Sequence, residues 1–397
     1  MAPSDAEPTA ADPSSTRPTD PAAITPFVLD IPDDQVSDLH ERLRRARLAE
    51  PEPVADWSQG IPATVVADLA RTWLEEHEIR ALSDELNGLG QYRTEIDGLG
   101  IHFLHVQSPR SDAQPLLITH GWPGSVVEFL DVVGPLTTPE DPACPAFHVV
   151  APSLPGFGFS DKPTVTGWGI DHIADAWAVL MSRLGYPRFL AQGGDWGAMI
   201  TTALGVRHPD RVAMLHTTMP LADRPEGART EDLPELEQRW LAQAREFRET
   251  GSGYSGQQRT RPQTLGYALV DSPVGQLAWI AEKFGVWTDG GPTLEPSVPR
   301  RRLLDNVAVY WFGASGASSA RMYWENAQVD RRAEVTVPAA ISIFPAEMAK
   351  MPRSWVEARY TDVRRWSVLD RGGHFASLEV PELFVSELRA SFRGVVC

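Results

Sequence analysis

The chain has 397 residues, more than one compact core usually holds, and its 42% hydrophobic and 22% charged residues exclude a collagen, a coiled-coil array and a wholly disordered protein. A formal charge of −17, with no cluster of basic residues interleaved with aromatics, argues against a nucleic-acid partner. No apolar run approaches the roughly 20 residues of a spanning helix, and Cys144 and Cys397 stand alone without Cys or His at ligand spacing, so no membrane anchor, disulfide or metal is expected.

In chain order, residues 1–26 are rich in Pro, Ala, Ser, Thr and Asp. They lack the basic start and apolar stretch of a secretory signal, and read as a disordered leader on a cytoplasmic protein. Ordered sequence is expected from Phe27. Over 27–90 two helical stripes follow Pro-containing starts, Val36, Leu39, Leu43 and Leu48 after Ile31-Pro32-Asp33-Asp34, then Val65, Val66, Leu69, Trp73 and Leu74 after Ile61-Pro62. Residues 92–96 and 101–106 flank Asp97-Gly98-Leu99-Gly100 and predict a β-hairpin.

From 91 to 220, apolar runs at 115–119, 147–151 and 188–192 alternate with helix-length segments at 126–136 and 170–184. Strands too apolar to face water, separated by helices, predict a mostly parallel, doubly wound α/β sheet covered on both faces. Residues 221–335 lose the strand signal and become helical and aromatic, as expected for a lid over the C-terminal edge of the sheet. Residues 336–397 return to the sheet, with strands at 339–344 and 365–369.

The chemistry concentrates in three motifs. Gly193-Gly194-Asp195-Trp196-Gly197 joins a strand to a helix with the pattern of a nucleophile elbow, except that Asp stands where Ser usually does. Asp195 would then be a carboxylate nucleophile; the plainer alternative is a helix-capping Asp in a Gly-rich turn. His120-Gly121-Trp122-Pro123-Gly124 follows the strand ending at Thr119. A loop there would donate one oxyanion-hole N–H, from Trp122, and the residue after the nucleophile, Trp196, the other. Trp122-Pro123 is also a candidate cis bond, and a tight turn is the alternative. Gly372-Gly373-His374-Phe375 presents one His late in the chain. A lone His is usually structural, but the order nucleophile, acid, His is that of an α/β hydrolase. Glu347, after the strand 341–344, is the first choice for the acid; Asp370 is better placed to shape the loop, and Asp330 is a donor from another strand end.

Together with Ser153-Leu154-Pro155-Gly156-Phe157-Gly158-Phe159-Ser160, these motifs resemble those of the α/β-hydrolase epoxide hydrolases, microsomal branch. That branch carries a helical N-terminal region, matched by 25–135 here, so the resemblance spans nearly everything after the leader. The segments Gly253-Tyr254-Ser255-Gly256 and Arg321-Met322-Tyr323-Trp324 resemble its lid segments, which assigns the two lid tyrosines to Tyr254 and Tyr323, with Tyr267 and Tyr310 as alternatives. The resemblance implies an epoxide and water as the only small-molecule partners, no cofactor, and no carry-over of the branch's membrane anchor; a homodimer is compatible with it. It implies a vicinal diol formed through an Asp195 ester, in detoxification or in antibiotic biosynthesis. The lid's Trp240, Trp279, Trp287, Trp311 and Trp324 suggest an apolar, even aryl, substrate, the plainer alternative being that most of them pack in the lid's core.

Two other readings compete. A haloalkane dehalogenase also uses an elbow Asp followed by Trp, but needs halide-binding N–H donors where this lid offers tyrosines. A non-catalytic binding protein on the same scaffold would tolerate loss of nucleophile, base or acid, and all three have candidates here.

Overall fold

The apolar runs assemble into one nine-stranded sheet. The computed structural model describes residues 20–294, 297–327 and 331–397. Its strands are β1 (Thr25–Pro26), β2 (Gln91–Ile96), β3 (Leu99–Val106), β4 (Gln114–Thr119), β5 (Phe147–Pro152), β6 (Phe189–Gly193), β7 (Val212–Thr217), β8 (Ala339–Ile343) and β9 (Val363–Val368). They lie in the order β1-β2-β3-β5-β4-β6-β7-β8-β9. The first four in that order pair antiparallel, and β5 through β9 pair parallel. Every residue of β6, β7 and β8 is buried, as central parallel strands with helices on both faces require. This is the α/β-hydrolase fold.

Three details depart from the sequence expectation. Thr25 and Pro26, inside the segment read as a leader, form an edge strand against Arg93 and Tyr92, a position where the missing proline N–H costs no ladder bond. The hairpin turn is tighter than its four-residue reading. Ile96 pairs with Leu99, and Asp97 and Gly98 take φ of 50° and 78°, the two-residue turn that matches strand twist. The strand β7 went unread because it follows the helix Asp195–Arg207 after only four residues, with no turn signal beyond Pro209.

Between β7 and β8 the described residues contain no strand, and the lid is built from the helices Glu235–Glu246, Gly253–Thr260, Pro262–Asp271, Pro273–Val286, Arg300–Phe312 and Gly316–Glu325. The N-terminal helices brace it. Buried His77 meets Asp305 at 2.8 Å, and Arg302 reaches Glu85 at 2.7 Å and Asp131 at 2.5 Å. With the Arg302 side chain only 10% exposed among these carboxylates, the brace is a determinant of where the lid sits. No helix among the described residues is long and apolar enough to cross a membrane.

Candidate active site

The turn after β6 forces the site's geometry. Asp195 has φ of 49°, a left-handed conformation that costs a non-glycine residue energy and is retained when the surroundings over-determine it. Gly197 supplies part of that determination: a Cβ there would stand 1.9 Å from the Thr119 carbonyl oxygen, so only glycine lets the helix Asp195–Arg207 seat against the end of β4. The result lifts the Asp195 side chain above the sheet at the helix N-terminus. Its Oδ1 accepts the Trp122 N–H at 2.8 Å, and its Oδ2 lies 3.4 Å from His374 Nε2. Gly121 lies against the same carboxylate, where a Cβ would come within 2.2 Å of Oδ1. The N–H of Trp196, in the first turn of its helix, has no i−4 partner within it and is available to a second oxygen. The Trp122–Pro123 bond is cis.

His374 Nδ1 meets Glu347 Oε2 at 2.8 Å, and Glu347 Oε1 accepts the Ala349 N–H at 3.0 Å. Burial alone would lower the imidazole's pKa, but Glu347 and Asp195 on its two sides outweigh it and hold the ring well above its ordinary value. His374 is therefore an imidazolium between two carboxylates in the free protein.

Tyr254 and Tyr323 come from separate lid helices and meet over this carboxylate. Their rings are 5.7 Å apart at 81°, and Tyr254 stacks on Trp122 at 5.0 Å while Tyr323 stands edge-on to Trp196 at 4.9 Å. Burial, with the Asp195 charge adding to it, pushes both phenols far up, so both stay protonated. Of the alternatives, Tyr310 spends its hydroxyl on the Gly124 carbonyl at 2.9 Å, and Tyr267 is exposed. Asp370 is exposed as well, and Asp330 lies outside the described residues.

These groups open into a cleft of about 330 Å³, within the range of small-molecule sites. Its apolar walls include Met199, Met219, Leu221, Phe247, Met348 and Met351. None of the five lid tryptophans lines it. Trp287 instead packs behind the site, 5.2 Å from Tyr254 and 5.1 Å from His374, so the argument from those residues to an aryl substrate lapses. Among the described residues no His/Cys/Asp/Glu group is arranged to hold a metal.

Sequence reading missed four residues around the site. Glu128 packs against Gly124, where a Cβ would collide with its carboxyl, and burial, with Asp195 adding to it, pushes that carboxyl up to about 8. Lys283 lies 4.6 Å over the Tyr254 ring and is paired with Glu282. Asp289 accepts the Gly372 N–H at 2.8 Å, and Glu379 accepts the N–H groups of Asp289 and Phe375 at 2.8 and 2.9 Å, fixing the His374 loop. Only Glu128 lay near a motif already singled out, four residues after Gly124 at the start of the helix-length segment 126–136.

Residues 24–129 match the family described as "Epoxide hydrolase N terminus", and residues 114–259 the "alpha/beta hydrolase fold" family. The chain is 50% identical over 374 residues to a Stigmatella aurantiaca protein named "Putative epoxide hydrolase", covering 93% of this chain and 85% of that one. It is 35% identical to "Epoxide hydrolase 1" of Oryctolagus cuniculus, covering 94% and 89%. Among solved structures, the Aspergillus niger epoxide hydrolase superposes with a TM-score of 0.86 at 34% identity over 94% of this chain and 97% of that one. The Bombyx mori juvenile hormone epoxide hydrolase superposes with a TM-score of 0.87 at 29% identity, covering 93% and 94%.

Proposed function

The chain belongs to the epoxide hydrolase family, and on that premise we propose that it opens an apolar epoxide to a vicinal diol through an alkyl ester on Asp195. The observation that carries the reading is the convergence of two protonated phenols and one carboxylate in a single apolar cleft. Asp195 Oδ2 attacks a ring carbon from behind, while Oδ1 stays on the Trp122 N–H. The breaking C–O bond leaves an alkoxide, which takes its proton from Tyr254 or Tyr323; acid assistance of this kind is worth ~10²–10⁴-fold. Two O–H donors suit an oxygen leaving group better than a halide, which supports this reading over dehalogenation.

Esterification also changes His374. The Asp195 anion that helps keep the ring protonated is gone, so the imidazolium gives up a proton, balancing the one a phenol passed to the alkoxide. Neutral His374, oriented by Glu347, then accepts a proton from water as it attacks the ester carbonyl carbon. The tetrahedral oxyanion is held by the N–H groups of Trp122 and Trp196. Collapse breaks the bond to the former Oδ2, which takes the remaining proton of the added water and leaves as a hydroxyl of the diol, restoring the carboxylate with one oxygen from water beside the imidazolium.

A single turnover in ¹⁸O water with enzyme in excess tests this route. The expected diol is unlabelled and the label is in Asp195. Fully labelled first-turnover diol would mean that water attacks the epoxide directly.

A further inference from the structure

Resting on that reading, we infer that the preferred substrate is an epoxide with an aliphatic body and an anionic carboxylate tail, the tail being received by Arg248, Arg259 and Arg331. All three line the cleft that holds Asp195, Tyr254 and Tyr323. Arg248 and Arg259 are exposed, where the cleft meets solvent on either side of Tyr254 in the lid. Arg331 is partly buried and stands where the cleft adjoins a second cavity of about 220 Å³, the two sharing Met199, Met219 and Leu221.

Their place on the cleft that holds Asp195 is what sets these residues apart. The chain has 53 acidic residues against 36 basic ones, and its arginines are commonly neutralised nearby: Arg71 reaches three carboxylates, Arg302 three, Arg207 two. Among the described residues, Arg248, Arg259 and Arg331 have no ion-pair partner, and Asp195 is the only carboxylate lining their cleft. Three unneutralised guanidinium groups lining one cleft, in so acidic a protein, set up a local positive field that draws and holds an anion. A guanidinium fork matches a carboxylate in two parallel hydrogen bonds. Walls of Met, Leu and Phe accept a flexible alkyl chain between that tail and the reacting carbon, and thioether side chains adapt to its shape.

The test compares ω-epoxyundecanoate with its methyl ester, which share the epoxide and the chain, and uses styrene oxide as an uncharged reference. The expected wild-type preference is at least ~10-fold in kcat/KM for the acid, carried by KM and falling as NaCl is raised, because charge-assisted hydrogen bonds are worth about that much. Arg248→Gln, Arg259→Gln and Arg331→Gln should each lower the acid-to-ester ratio, and the triple variant should bring it to about one. Arg259→Glu should invert it. Circular dichroism checks that each variant is folded, and the salt dependence of the wild-type ratio needs no variant at all. A wild-type enzyme that opens styrene oxide yet shows an acid-to-ester ratio at or below one, insensitive to salt, overturns the anionic-tail assignment alone. Failure to open any of the three overturns the epoxide reading and this assignment with it.

Discussion

Replacing Glu347 with Gln should separate the two halves of the reaction. Glu347 Oε2 faces His374 Nδ1 at 2.8 Å and Oε1 accepts the Ala349 N–H at 3.0 Å, in a site where Glu347 is 2% exposed. An amide has one acceptor and one donor end. If its oxygen faces His374, its NH₂ confronts the Ala349 N–H, and two buried donors lose their partners at about 1–3 kcal/mol each. If it turns round, the NH₂ donates to Nδ1 and fixes the proton on Nε2, the nitrogen that must take one from water. A bias of about 1–3 kcal/mol toward that tautomer alone costs ~5–150-fold, and the lost charge opposite the imidazolium adds to it, so hydrolysis of the ester should slow by ~10²–10⁴-fold. Alkylation, performed by Asp195 and the tyrosines, should slow far less. Rapid-quench single turnovers with intact-protein mass spectrometry read the two steps separately. Equal slowing of both, or kcat within ~3-fold of wild type, would refute the orientation argument.

Asp195→Ala should leave circular dichroism unchanged and reduce diol formation to background, with no covalent adduct by mass spectrometry. Tyr254→Phe and Tyr323→Phe should each slow adduct formation by ~10–10²-fold and the double variant by at least ~10³-fold, measured by stopped-flow tryptophan fluorescence, while Tyr267→Phe has no effect. Glu128 gives a pH signature. Its folded pKa of about 8 lies above the ordinary carboxylate value, so the native state holds a proton that the unfolded chain releases, and stability falls as pH rises from about 4.5 to about 8. Relative to wild type, Glu128→Gln should gain in Tm by at least about 2 °C across that window and no further above it, read by differential scanning fluorimetry.

What the sequence made legible is what local pattern encodes. The strand-turn-helix around Asp195, the loop at Trp122 and the late His374 each sit in a short motif whose glycines answer to a specific close approach, such as Gly197 against Thr119. Glu347 was readable because the chain order nucleophile, acid, His calls for an acid after a late strand, and Glu347 follows β8, two strands beyond β6 in the parallel series. Asp289 and Glu379 were not readable, since they act across the boundary between lid and core, over separations of 83 residues for Asp289 with Gly372 and 90 for Asp289 with Glu379, and Lys283 was not, since its ring contact with Tyr254 joins two separate lid helices. Nothing local in the sequence says which lid tryptophans face inward either. Trp287 is buried at 2% exposure and Trp324 is 47% exposed, though both lie in aromatic helical segments.

The link between lid and His374 loop has a consequence for how molecules come and go. The Trp287 carbonyl holds the His374 N–H at 3.0 Å, Asp289 holds Gly372, and Glu379 holds Asp289 in return. Swinging the end of the helix Pro273–Val286 outward would drag the base away from Glu347, so this part of the lid cannot serve as a door while the site remains competent. Traffic is left to the far side of the cleft, where the π-helical turn Phe247–Gly251 and Arg331 stand at the rim. Turnover of bulky substrates would then be governed by the width of a fixed side window rather than by the frequency of a hinge, and substitutions at Phe247 or Met351 should shift product-release rates while leaving the chemical steps alone.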